Sequence, residues 1–263
     1  MMIKLEIRNL SFGYHSADIL KDFSLTVSDG HIVSIVGPNG SGKSTLIKCI
    51  DRILTPRSGR VTVDHRNAGD MGRMELARRI AYIPQSSLRV FPNTVFDVVL
   101  MGRRPYLGWA SGPANEESVW EILSLLDIED IALRPFNELS GGQQQKVLIA
   151  RALAQDTGVV LLDEPTSNLD VRHQMDVMDI LRDLVKKRSL TVLIAIHDLN
   201  TAARYSDRIV MMKRGRIVVC GKPGDVMNER NLEEIYGIRS EVRFINNIPF
   251  VLPLGRVNQK QNR

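Results

Sequence analysis

Cysteine is nearly missing from this chain: two residues, Cys49 and Cys220, in 263. Neither stands at a metal-ligand spacing, which argues against a thiolate zinc site and a disulfide scaffold. Both lie inside apolar segments and are expected as buried free thiols in a reducing cytosol. Long apolar runs are missing as well. None approaches the roughly 20 residues that a bilayer-spanning helix needs. The opening MMIKLEIRNL alternates from its start, which predicts a strand and no signal peptide. Aromatics are only 5% of the chain, and no basic stripe is interleaved with them. The formal charge of +5 is scattered, with local density only at Lys186–Arg188 and in the tail RVNQKQNR. Nucleic-acid binding is therefore not supported. There is no internal repeat. What is present, 43% apolar and 25% charged residues, suits a globular chain with a full core, as one large domain or two small ones.

Two strand types are legible. Ile3, Leu5 and Ile7 alternate with Lys4, Glu6 and Arg8, and RVTVD (Arg60–Asp64) reads alike. Such strands suit an antiparallel sheet with one wet face. HIVSIVG (His31–Gly37), VVLLD (Val159–Asp163) and TVLIAIH (Thr191–His197) are nearly continuous in apolar residues. That pattern predicts strands buried on both faces, as in a helix-covered parallel sheet. Between Gln85 and Leu139 the strand signal fades. Thr94-x-x-Asp97 caps a helical run, NEESVWEILSLLDI is a second amphipathic helix, and Gly108–Pro113 separates the two. This reads as a helical insert in an α/β core. EVRFINNIPFVLPL predicts a hairpin turning at Asn246–Asn247, and Arg256–Arg263 is expected to be disordered.

Gly37, Pro38, Asn39, Gly40, Ser41, Gly42, Lys43, Ser44 and Thr45 fit G-x-x-x-x-G-K-[ST] between a strand and a helical run. Glycines let N–H groups turn around phosphates, and the helix start adds partial positive charge. Lys43 would reach the β- and γ-phosphates and Ser44 would hold Mg²⁺. The strand at Val159 ends in Asp163-Glu164-Pro165. Asp163 is the expected Mg²⁺ partner, and Glu164 the general base or water-orienting group. Neighbouring strand residues face opposite sides, so both serve one site only if the chain turns there. His197 ends a buried strand, where it either bonds the γ-phosphate and the attacking water or is merely structural. Tyr14 either stacks on an adenine ring or is a core or turn tyrosine. Gln85 follows the strand-like RIAYIP, and its amide could touch Mg²⁺ or the water. In NELSGGQQQK, Ser140 and Gln143 form a capping box, while Gly141 and Gly142 allow an anion close to the backbone.

Together these residues resemble the ATP-binding subunits of ABC transporters over nearly the whole chain. Tyr14 resembles the A-loop aromatic, Gly37–Thr45 Walker A, Gln85 the Q-loop, Leu139–Gln143 the signature, Val159–Glu164 Walker B, Ser167–Asp170 the D-loop (with Asn168 where alanine is frequent) and His197 the H-switch. The resemblance implies an α/β fold: a P-loop NTPase (RecA-like) core with an antiparallel β subdomain and an inserted helical subdomain. It divides the chain into an ATPase domain at 1–225 (core 1–85 and 155–225, helical part 86–154) and a C-terminal helix, hairpin and tail at 226–263. It implies ATP hydrolysis with Mg²⁺ and a head-to-tail dimer, with each ATP between Walker A of one chain and Ser140–Gln143 of the other. It also implies membrane permease subunits, indirectly a substrate-binding protein, and a peripheral place on the cytoplasmic face of the membrane. Thr94–Gly108, with Met101-Gly102-Arg103 and Pro105-Tyr106, is similar to importers of iron–siderophore, haem and cobalamin. Importers of molybdate, zinc or manganese are the alternative, ahead of a non-transport ABC protein or a scaffold without turnover. Arg89, Phe91 and Arg103 are expected as exposed permease contacts.

Overall fold

The computed structural model describes residues 2–15, 17–85, 93–106, 113–167 and 169–257. Arg89, Phe91, Asn168, most of Gly108–Pro113 and the tail from residue 258 lie outside the described residues.

Three sheets organise the chain. Strands β1 (Ile3–Tyr14), β2 (Ala17–Ser28), β4 (Ser58–Val63) and β5 (Arg66–Asn67) form an antiparallel sheet in the order β2-β1-β4-β5. Strands β3 (Ile32–Val36), β6 (Ile80–Ile83), β7 (Val159–Asp163), β8 (Thr191–Ala195), β9 (Arg208–Lys213) and β10 (Arg216–Gly221) form the central sheet in the order β10-β9-β3-β8-β7-β6. It is parallel except for its β9–β10 edge. Strands β11 (Ile238–Ile245) and β12 (Ile248–Arg256) make a hairpin. Asn246 and Asn247 turn it with φ of 51° and 63°, the left-handed pair of a type I′ turn.

The helices are α1 (Lys43–Ile50), α2 (Arg73–Ala77), α3 (Val95–Leu100), α4 (Pro113–Leu125), α5 (Gly141–Ala154), α6 (Val171–Arg188), α7 (Leu199–Tyr205), α8 (Pro223–Val226) and α9 (Glu229–Tyr236). The parallel strands read as continuous apolar runs because they serve two cores at once. Val33, Ile35, Leu161 and Leu193 face α1 and the antiparallel sheet, burying against Leu5, Ile7 and Leu46. Val36, Val160, Leu162, Val192 and Ile194 face the opposite way, into a core with Val98, Leu123, Val147 and Leu181. Each such side chain contributes about 1.5–3 kcal/mol relative to exposure. Leu232 of α9 and Val251 of β12 bury in this second core too, and Asn200 of α7 pairs with the Val251 backbone in both directions at 3.3 and 2.7 Å.

Thr94 and Asp97 form the predicted capping box of α3, with reciprocal bonds of 3.1 Å. Arg103, however, is not an exposed contact. It is half-buried, donating to Asn115 Oδ1 and to the Ala154 carbonyl, both at 3.0 Å, and it stacks 4.6 Å from the Tyr106 ring centre. Cys49 is buried as expected, and burial pushes its thiol up to about 12. Cys220 is only partly buried and receives a bond from Arg208.

Candidate functional site: a phosphate loop facing two carboxylates

Strand β3, flanked by β9 and β8, delivers the chain into the loop Gly37–Gly42 at its C-terminal end. Gly37 has no room for a side chain, since a Cβ there would stand 2.3 Å from the Met212 carbonyl of β9. Gly40 and Gly42 hold φ of 77° and 103°, values that L side chains resist. A Cβ on Gly40 would meet nothing within 4 Å, so this backbone borders open space. The loop feeds the first turn of α1, where unpaired N–H groups gather. Lys43 is buried there and donates to the carbonyls of Gly37 at 2.8 Å and Pro38 at 3.4 Å. Burial lowers its pKa, while the charges of Glu164 and Asp163 raise it. The Ser41 hydroxyl is buried without a partner among the described residues.

Asp163 ends β7 and is buried. Burial raises its pKa, against the lowering effect of the Ser44 hydroxyl, which donates to Asp163 Oδ1 at 2.7 Å. Glu164 then takes φ of 53°, a left-handed value uncommon for a residue with a side chain. This turn removes the difficulty of two adjacent carboxylates on one strand. It swings Glu164 to the side that Asp163 already faces, while the Glu164 N–H still bonds the Ala195 carbonyl of β8 at 3.0 Å. Ser167 secures the turn by donating both its N–H (3.1 Å) and its hydroxyl (2.8 Å) to the Glu164 carbonyl. That role was missed in the sequence; a hydroxyl three residues past Glu164 is its only signal.

Two side chains converge on the Glu164 carboxylate. Gln85 Nε2 donates to Oε2 at 2.5 Å, and His197 Nε2 bonds Oε1. The Glu164 side chain is 10% exposed and that of His197 45%, so the imidazole is the open lip of the site. His197 lies just beyond β8, which ends at Ala195 rather than at the histidine. Asn39–Thr45, Gln85, Glu164 and His197 line one cleft of about 340 Å³. Tyr14 does not line it. It stands 48% exposed at the end of β1, edge-on to Phe12 at 4.9 Å.

Ser140, Gly141, Gly142 and Gln143 also lie outside this cleft. Ser140 is the N-cap of α5, and its box with Gln143 closes at 3.3 and 3.1 Å. The box occupies the N–H groups of Ser140 and Gln143 and leaves those of Gly141 and Gly142 without a bond among the described residues.

The donor set fits Mg²⁺. Ser44 Oγ and Asp163 Oδ1 are neighbouring hard oxygens, and Mg²⁺ takes one or two protein oxygens beside substrate phosphates. Among the described residues no group of three or more His, Cys, Asp or Glu forms a site built of protein alone.

A glycine-cradled lysine facing a buried aspartate, with a second carboxylate lining the same loop's cleft, is the arrangement of a P-loop ATPase. The comparisons narrow the class: residues 20–167 match the family described as ABC transporter, and the chain belongs to that family as an ATP-hydrolysing, ATP-binding subunit. It is 42% identical over 251 residues to an uncharacterised ABC transporter ATP-binding protein of Methanocaldococcus jannaschii, covering 95% of this chain and 98% of that one. It is 38% identical to the petrobactin import ATP-binding protein YclP of Bacillus subtilis, over 92% of this chain and 96% of the relative. A solved metal-chelate type ABC transporter in an inward-facing conformation matches with a TM-score of 0.85 and 27% identity, over 97% of this chain and 98% of that one.

Proposed function

We propose that this chain powers the import of a metal chelate, such as a ferric siderophore, haem or cobalamin, by hydrolysing Mg²⁺-ATP as one half of a head-to-tail pair. The observation that carries the catalytic reading is the convergence of Gln85 and His197 on the two oxygens of Glu164, at the mouth of the phosphate loop. In this reading the loop N–H groups and Lys43 hold the phosphates. Ser44 and Asp163 hold Mg²⁺, which when bound offsets phosphate charge. Glu164 aligns a water for in-line attack on the γ-phosphate and takes its proton, Gln85 fixes the carboxylate, and His197 touches the phosphate from the open side. Tyr14 stacks on the adenine from the end of β1.

Ser140–Gln143 would serve the ATP of a second chain, because the Gly141 and Gly142 N–H groups have no bond among the described residues and the four residues line no part of their own cleft. ATP then joins the two chains, and its hydrolysis loosens them. Among the described residues no helix is long and apolar enough to cross a membrane, so the translocation path belongs to permease subunits, loaded by a substrate-binding protein. A cleft of about 440 Å³ between core and helical insert, lined among others by Asp51, Arg73, Tyr82 and Arg151, is the proposed seat of a cytoplasmic permease helix. It lies against β6, whose end is two residues from Gln85. The cargo class is supported by the Thr94–Gly108 segment, the petrobactin-importing relative and the metal-chelate transporter structure.

Glu164→Gln tests the catalytic core of the reading. It keeps size and ATP binding while removing the base, so turnover should fall about 10²-fold or more. A dimer that persists in ATP should appear by size-exclusion chromatography. Near-normal hydrolysis would remove Glu164 from this role.

A further inference from the structure

Helix α6 starts directly after the loop that follows Glu164, and its first turn is tied to two segments at once. Asp170 caps it: Oδ1 accepts the His173 N–H at 2.9 Å and bonds His173 Nδ1 at 2.7 Å. A carboxylate only accepts, so Nδ1 carries the proton. Gln174 Nε2 donates to the carbonyls of Thr166 at 3.3 Å and Leu169 at 2.9 Å, which fixes that loop to the helix. The far side of the His173 ring lies on the start of α5. A Cβ on Gly142 would stand 2.2 Å from His173 Cδ2 and 2.9 Å from Nε2. A Cβ on Gly141 would meet the Leu169 side chain at 3.6 Å. The two glycines, whose N–H groups have no bond among the described residues, are therefore backed by Leu169 of the loop before α6 and by His173 of its first turn, and His173 makes the closest approach.

We propose that His173 is a positioning residue for the ATP site shared between two chains. Its ring, anchored by Asp170, is the wall that aims the Gly141 and Gly142 amides at the nucleotide of the opposite chain. It also makes the loop after Glu164 and the start of α5 move as one unit, so a change beside the γ-phosphate in one site reaches the signature that serves the other. The inference rests on the head-to-tail reading above. His173 does not line the phosphate cleft of its own chain. Its removal should therefore spare ATP binding by a single protomer and weaken the step in which two protomers close.

The test places His173→Ala and His173→Asn in the Glu164→Gln background. Titration with a fluorescent ATP analogue reads binding by the free protomer, and size-exclusion chromatography across ATP concentrations reads closure. Turnover is measured in the same variants with Glu164 intact. Asn retains a donor for Asp170 but not the ring, so it separates helix capping from the wall. Both variants should bind the analogue within about twofold of the parent, need about tenfold more ATP to dimerise, and turn over about tenfold more slowly. Dimerisation and turnover of the Asn variant at parental levels would reduce His173 to a helix cap and overturn the proposal. An equal loss of protomer binding in both would do the same, by making the residue one of general folding. If the Glu164→Gln parent itself stayed monomeric at saturating ATP, the head-to-tail reading would fall and this inference with it.

Discussion

Asp51 caps the C-terminal end of α1, where the helix already presents partial negative charge. Burial pushes its carboxyl up to about 7. A folded pKa above the unfolded value of 3.8 means that the ionised form is the costly one. The cost is absent below the unfolded pKa, grows as pH rises through the interval and is complete above about 7. Asp51→Asn removes it, so the variant should gain stability over the parent at pH 8 by on the order of 2 kcal/mol more than at pH 5. Urea denaturation at the two pH values measures this; an equal gain at both would show that ionisation of Asp51 costs the fold nothing. Glu164 is the second unfavourable placement, its left-handed φ costing about 1–3 kcal/mol. The sequence requires a turn there, but not its left-handed form. Adjacency of Asp163 and Glu164 is visible in the letters, but the left-handed turn that lets one bond Ser44 and the other line the cleft is a property of the backbone.

At the scale of elements, the segment Met101-Gly102-Arg103 with Pro105-Tyr106 ties the helical insert to the core. A Cβ on Gly102 would stand 2.1 Å from the Arg151 carbonyl and 2.9 Å from Ala154 Cβ, so only glycine lets this turn lie on the end of α5. Arg103 then bonds the last carbonyl of α5, and Arg78 bonds the Pro105 carbonyl at 2.9 Å from the core side. Gly102→Ala should cost about 1–3 kcal/mol by overpacking, read as a lower urea midpoint with an unchanged slope; an unchanged midpoint would show that this turn rides loosely on α5. The elements legible in the sequence were those with one clean period. Strands β3, β7 and β8 showed as unbroken apolar runs, and α3 announced itself by its capping box. Strand β2 was not read, although Phe23, Leu25 and Val27 alternate with exposed Ser24 and Thr26; only its first half, where the pairing slips between Leu10 and Phe12 and between Phe12 and Gly13, lacks that period. Strands β9 and β10 went unread as well, although Arg214 and Gly215 turn between them with positive φ. Arg103 was misread for a different reason: nothing in a sequence tells an arginine that stacks inward from one that faces a partner.

For the molecule as a whole, the proposed head-to-tail pairing makes the phosphate loop and the signature of one chain serve different nucleotides. Lys43→Ala and Ser140→Arg should each disable a homodimer. In a mixed dimer carrying one variant per chain, one shared site is intact and the other doubly damaged. Mixing should restore part of the ATPase activity, or, if the two sites are strictly coupled, leave ATP cross-linkable at the intact site only. Cross-linking of ATP to the signature of the chain whose phosphate loop holds it would refute the head-to-tail arrangement. Cargo is decided one level higher, by the subunits that this chain drives. No residue of the phosphate cleft discriminates among cargoes, since the cleft handles only ATP. In the proposed reading, cargo information in this chain belongs to the surfaces that fit its permease, which that reading places beside the insert. Deleting the gene should abolish uptake of at least one labelled chelate among ferric siderophore, haem and cobalamin. Restoring the chain should return that uptake, and restoring it as Glu164→Gln should not. Unchanged uptake of all three, with loss of molybdate, zinc or manganese transport, would reassign the cargo while leaving the ATPase chemistry as it stands. The Glu164→Gln arm separates the two questions, because it fails to rescue whatever the cargo is.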